Sequence, residues 1–240
     1  LSPTQWTAFG TTHIATLNVK QVAALSADAL SNNLSEEQLA AFTTAQIASL
    51  SSRQIAGLSS TTLNEFSSMS FAAIKPATIS ALSSSQIVAF GSSQITALST
   101  AQASALTAAQ VRLFSAEQIL ELETRDLLAL RTSAIAALNT TQIVYLSVEQ
   151  AAALTGRQVV ALSTSSLAAL EIEDLTALNS RAMIALSSTQ LSAFTPDQIA
   201  ALLPGQVSVL RGPQIKGLRL DQITALSEAD VMAINTAAIA

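Results

Sequence analysis

The chain has 240 residues, enough for one or two domains, and its 11 basic and 16 acidic residues give a net charge of −5. This balance points away from nucleic acid, whose phosphates need a basic face. The lack of cysteine excludes disulfides and thiolate metal sites, and Ser, Thr, Asn or Gln breaks every apolar stretch before about 18 residues, so no membrane insertion is expected.

Half of the residues are hydrophobic, yet only 11% are charged and 4% aromatic, a bias that calls first for a search for repeats. The opening LSPTQWTAF has neither the charged start nor the apolar stretch of a signal peptide. The first three pieces are LSPTQWTA, FGTTHIAT and LNVKQVAA; a nine-residue piece, LSADALSNN, follows at 25–33. From Leu34 the period is eight to the end, giving 30 octads with the consensus L-[ST]-x-x-Q-[IV]-x-A, the last one residue short. The pattern runs into both ends, so one octapeptide-repeat solenoid over 1–240 is expected, as a fragment of a longer repeat protein. The extra residue near Asn32 and Asn33 is expected in a turn between helices, where insertion is cheapest.

Position 1 is Leu, Phe or Ile in all 30 octads, and position 6 is large and apolar in 28, Ala103 and Ala151 being the exceptions. Position 2 is Ser, Thr or Asn in 21 octads, position 5 is Gln in 18, and position 8 is Ala in 19 of the 29 that have it. Ser, Thr and Asn are preferred N-caps. A Gln three residues on reaches back to the N–H of the cap and completes a capping box, while positions 1 and 6 become the partners of a hydrophobic staple. Pro3, Pro76, Pro196 and Pro204 fall at the first helical position and Pro213 at the second, where proline removes no intrahelical bond.

A single long helix fails, because eight residues advance about 80° beyond two full turns and leave no continuous apolar stripe. A β-solenoid fails on parity between positions 6 and 1, on its few glycines and on Ala and Gln propensity. A chain of two-turn helices satisfies every position. Such short helices are marginal alone, so each buries positions 1 and 6 against its neighbours. The expected fold is all-α, an α-solenoid of about 30 very short helices with three or four per coil. Candidate core pairs are Leu34 and Leu39, Phe42 and Ile47, Leu82 and Ile87, Phe90 and Ile95, Leu138 and Ile143, Phe194 and Ile199, and Leu218 and Ile223; the candidate caps are Ser35, Thr43, Ser83, Asn139 and Thr195. Ala at position 8 keeps each helix slim enough for close approach.

A longer period is also present: octads starting at 66, 122, 170 and 226 open blocks that lack Gln at position 5. They mark recurring places on a superhelix or the duplication of a longer ancestral block.

No catalytic constellation emerges. His13 is the sole histidine, and it stands where Gln usually stands, without Cys or a serine motif beside it. It reads as a substitute for Gln. Trp6 reads as core and Tyr145 as a surface or groove contact. Of the 16 acidic residues, 14 lie at positions 2 to 5, and nine of the 11 basic ones lie at positions 2 or 4; positions 2 to 5 are therefore read as solvent-facing, with a dipole preference on top. Glu171, Glu173 and Asp174, and Glu36 with Glu37, lack the spacing of a calcium loop. Arg211, Lys216 and Arg219 read as a solvated face rather than an anion site. No phosphate loop is present. No enzyme activity, cofactor or metal is read from the chain.

The phrase FTPDQIAAL (194–202) resembles the opening helix of TAL-effector repeats, but the second helix and base-reading loop of those repeats are missing, so it is read as a shared capping solution. Over its whole length the chain resembles the Leu-Thr-x-x-Gln-Ile-x-Ala runs of large, low-charge repetitive bacterial proteins. That resemblance implies a secreted or cell-surface location. The expected function is a non-catalytic spacer or scaffold whose partners are its own neighbouring repeats. A protein- or peptide-binding module is the alternative, with an ice- or glycan-binding surface of Ser/Thr rows third.

Overall fold

A computed structural model describes residues 1–239, and every element among them is helical. There is one helix per octad, four to six residues long: twenty-nine α-helices and one π-helix among the described residues.

The octad at 82–89 shows how eight residues specify one helix. Ser83 is extended (φ −72, ψ 163) and its hydroxyl accepts from the Gln86 N–H at 3.3 Å. Gln86 Oε1 accepts from the Ser83 N–H at 2.9 Å, so two N–H groups that the helix leaves without partners are satisfied reciprocally. Leu82 and Ile87, on either side of that pair, are buried. The helix ends when the Phe90 N–H bonds back to the Ile87 carbonyl at 3.3 Å and the chain turns extended at Gly91 (φ −85, ψ 174), the next cap. Ser35, Thr43, Asn139 and Thr195 cap in the same way, each accepting from the N–H of its Gln. Pro3, Pro76, Pro196 and Pro204 each open a helix.

Within each unit, most helices pack on the third helix before or after them. Thr100–Ala105 lies on Pro76–Ile79 and on Thr124–Ala129, and Gly156–Ala161 lies on Ser180–Ala185. The chain therefore coils as an α-solenoid around a seam of position-1 and position-6 residues. It divides into two compact units, Leu1–Ala129 and Leu130–Ala240. Nothing in the sequence marks this boundary: the octad runs through Leu130 unbroken.

The extra residue is not in a turn. It lies in the π-helix Ala29–Asn33, which widens one helical turn. Absorbed there, it leaves Leu30 and Leu34 both buried and the register of the next cap intact; in the turn it would displace Leu34 from the core.

Phe42, Ile47, Leu82, Ile87, Phe90, Ile95, Leu138, Ile143, Phe194 and Ile199 are at most 5% exposed, and Leu34 and Leu39 are also buried. Two residues assigned to the core from the sequence are not in it. Leu218 is half-buried and Ile223 is 41% exposed. A core residue is covered from both sides, by the coil before and the coil after, and octads that would follow Ile223 by a full coil lie beyond residue 240. Leu17 and Leu25, in the first coil, are half-buried for the mirror-image reason.

Candidate functional site: the glutamine ladder between coils

The side chain that organises the molecule is the position-5 glutamine. From Gln38 onward it is buried, not solvent-facing as the charge pattern suggested: Gln86, Gln94, Gln102, Gln142 and Gln222 are at most 1% exposed. A buried amide needs partners for both ends. Its oxygen takes the cap N–H of its own octad. Its nitrogen crosses to the preceding coil. Gln86 Nε2 donates to the carbonyls of Ile55 (2.9 Å) and Leu58 (2.8 Å), Gln102 to Phe71 (3.0 Å) and Ile74 (2.8 Å), and Gln214 to Met183 and Leu186 (both 2.9 Å). These carbonyls lie 31 and 28 residues earlier, at the end of a helix, where the intrahelical ladder runs out. One side chain thus closes the start of one helix and the end of another, which explains why the residue is Gln and not Glu.

The same logic accounts for the substitutions at caps. Gly91, Leu203, Arg211 and Arg219 offer no capping side chain, yet their N–H groups still donate to the Gln three residues on. His13 does the half of the task open to it: its Nδ1 accepts from the Gly10 N–H at 3.0 Å. In two octads without Gln, another donor spans the coils. In the octad of Ala182, Asn179 Nδ2 donates to the carbonyls of Ala152 and Leu154, both at 3.0 Å. In the octad of Ser166, its hydroxyl donates to the Leu138 carbonyl at 3.2 Å.

The basic group near the end is exposed, as a solvated face requires, and two of its arginines also reach the preceding coil. Arg211 Nη2 donates to the Ile184 carbonyl, and Arg219 to the Ser192 and Phe194 carbonyls while pairing with Asp221 at 3.1 Å. Both arginines stand at position 2 and reach back as Asn179 does. Trp6 is buried against Phe9, with ring centroids 5.3 Å apart, and Tyr145 is 43% exposed at the end of its helix. Glu37, Glu117 and Glu149, at position 4, are exposed and held below the usual carboxylate range. The cap serine hydroxyl is the main cause for Glu37, and the residue's own backbone N–H is the main cause for the other two.

Three acids are buried at position 5; Asp230 accepts from the N–H and hydroxyl of Ser227, but Asp126 and Asp174 differ. Both stand at position 5 and are at most 3% exposed. Neither oxygen of Asp126, nor Oδ2 of Asp174, has a hydrogen-bond partner. Burial raises the pKa of both. Arg125 Nε, 3.8 Å from Asp126, offsets part of the rise there, whereas acidic neighbours add to it at Asp174.

The grooves between coils are shallow and open. One is lined by Ser80, Leu82, Thr107, Gln110 and Arg112, another by Leu154, Gly156, Asn179 and Arg181. Among the described residues no three His, Cys, Asp or Glu side chains are grouped to hold a metal ion, and no helix is long and apolar enough to cross a membrane.

The ALTTAQ repeat profile matches residues 33–68, 70–100, 119–156 and 167–203, more than half of the chain. The chain belongs to the ALTTAQ repeat family. No curated protein matches it. The four ALTTAQ matches each cover roughly four octads, a little more than one coil; the last holds Gln198 together with the Leu167 and Leu170 carbonyls that it reaches, whereas the glutamines of the first two reach carbonyls that lie before their own match. The signal for the ladder was present in the sequence as the recurrence of Gln; its second partner was not, because it lies in another coil.

Proposed function

We propose that this ALTTAQ repeat chain is a spacer or scaffold within a bacterial surface or secreted protein. The observation that carries this reading is the ladder: within each unit, coils are fastened to the ones before by buried amide bonds, and the chemistry is spent on holding the coils together. Length then grows with the number of octads, each contacting only its neighbours. The exposed positions carry small polar residues with scattered large apolar ones, such as Met69, Val88, Leu120 and Leu220. The bacterial surface setting rests on the resemblance of the whole chain to Leu-Thr-x-x-Gln-Ile-x-Ala runs.

Deleting 56 residues in register, seven whole octads, tests it. Small-angle scattering is expected to show a shorter maximum dimension with helicity per residue unchanged in circular dichroism. Collapse of the remaining octads would overturn the spacer reading.

A second reading, a protein- or peptide-binding module, draws on the longer period. The blocks at 66 and 122, and those at 170 and 226, are 56 residues apart. Packing on the third helix and bonds spanning 28 and 31 residues put one coil at about 28 residues. The first octads of each pair are therefore two coils apart. Saturable binding of a partner, lost when both blocks of a pair are rewritten to the consensus, is the outcome that favours this reading.

A further inference from the structure

The octad LEIEDLTA (170–177) puts an aspartate in the ladder. Asp174 is 3% exposed and its Oδ2 has no partner. From the same position Gln206 reaches the carbonyls of Leu175 and Leu178, 31 and 28 residues earlier. The equivalents for Asp174 are the carbonyls of Ile143 and Leu146. A carboxylate has only acceptors to turn toward them, whereas a neutral carboxyl has one O–H to give.

The charges around this position are of one sign. Glu171 and Glu173 belong to its own turn and helix, and Glu149 comes from Val148–Ala153, which packs against it. The helix Thr140–Val144 carries no charged residue, and Arg181 on the next helix lines the groove beside Gly156. Burial first, then Glu171, Glu173 and Glu149, push the Asp174 carboxyl up to about 6. Glu149 itself is held low by its own N–H and the Ser147 hydroxyl, so it stays ionised while Asp174 titrates.

We propose that Asp174 makes one joint between coils proton-operated: neutral, it donates across the coil boundary in place of glutamine; ionised, it sets acceptor against acceptor and loosens the joint.

The folded-state pKa is raised, so the folded chain binds the extra proton. The stabilisation is fully present below about pH 4, the ordinary range for Asp, and is lost as pH rises through about 6. Between pH 7.5 and pH 5 the linkage amounts to a roughly tenfold change in the opening equilibrium, or about 3–6 °C in Tm.

The test compares thermal unfolding of the chain and of Asp174→Asn at pH 5 and pH 7.5. Other carboxylates titrate in both, so the difference between the two proteins isolates this joint. Asp174→Asn is expected to be more stable than the parent at pH 7.5 and to lack the parent's extra gain on acidification. An Asn variant that retains that gain, or that is less stable than the parent at pH 7.5, overturns the proposal. A ¹³C-carboxyl titration of the parent reads the group directly and needs no variant to fold: a midpoint well above the ordinary Asp range supports the joint, and one at or below about 4 sinks it.

Discussion

Gln102 donates its amide nitrogen to the backbone carbonyl of Phe71, 31 residues earlier, at 3.0 Å, while its oxygen holds the N–H of Ser99 at 2.9 Å. The same amide bonds the Ile74 carbonyl at 2.8 Å and is fully buried. Gln102→Ala removes partners from both coils at once. With about 1–3 kcal/mol for each buried group left unpaired, it is expected to cost about 2–5 kcal/mol in urea unfolding. Gln21→Ala is the control. Gln21 is exposed and its oxygen holds the Asn18 N–H at 2.8 Å, so its loss is expected to cost about 1 kcal/mol. Equal costs would show that the bonds between coils contribute nothing beyond the cap.

The cap is separable from the ladder. Thr195 Oγ1 accepts from the Gln198 N–H at 3.1 Å, and Thr195→Ala removes that acceptor while leaving Gln198 in place. A loss of roughly 0.5–2 kcal/mol is expected. Thr189, exposed within the first turn of its helix, makes no such contribution, and Thr189→Ala is expected to stay within about 0.5 kcal/mol of the parent. Thermal unfolding of the two variants side by side checks the register of the octad.

The local half of this structure was legible in the sequence because its causes fit inside eight residues: Ser83, Gln86, Leu82 and Ile87 define cap, box and staple without reference to anything else. The other half was not, because its causes lie about 28 residues away. Gln86 looked like a capping residue on a polar face, and only the carbonyls of Ile55 and Leu58 show why it is buried. Asp174 was grouped with Glu171 and Glu173 as a solvated acid for the same reason; one position along the helix separates an exposed carboxylate from a buried one. The arginines at 211 and 219 are exposed as expected, but their reach to the preceding coil was not legible, because position 2 was judged by its capping role, which arginine cannot fill.

Two glycines are expected to respond in opposite directions to alanine. A Cβ on Gly156 would meet the Ala185 Cβ at 2.9 Å and the Arg181 carbonyl oxygen at 3.0 Å, both in the following coil, while one on Gly205 would meet nothing within 4 Å. Alanine is the better helix former by about 0.5–1 kcal/mol at either place. Gly205→Ala is therefore expected to stabilise by up to about that amount, whereas Gly156→Ala is expected to destabilise by about 1–3 kcal/mol through forced separation of the coils. Guanidinium unfolding of the two variants decides it, and a stabilised Gly156→Ala would mean that the coils have room to spare.

Phe71 is the one phenylalanine at position 6, and it is fully buried with its ring edge-on to Phe90, centroids 5.0 Å apart. Four octads later position 6 is Ala103, also fully buried, and the neighbouring Gln102 bonds the Phe71 carbonyl. A large residue in one coil thus faces a small one in the next. Phe71→Ala is expected to cost about 3–5 kcal/mol, the loss of the ring and the cavity it leaves. Ala103→Leu is expected to cost about 1–3 kcal/mol by overpacking against the ring. If the two share one space, the double variant Phe71→Ala/Ala103→Leu is less destabilised than the sum of the singles by more than about 0.5 kcal/mol, because the new leucine enters the room the ring vacates. Additive costs would place the two residues in separate packing sites and would leave the alanine at position 6 without that explanation.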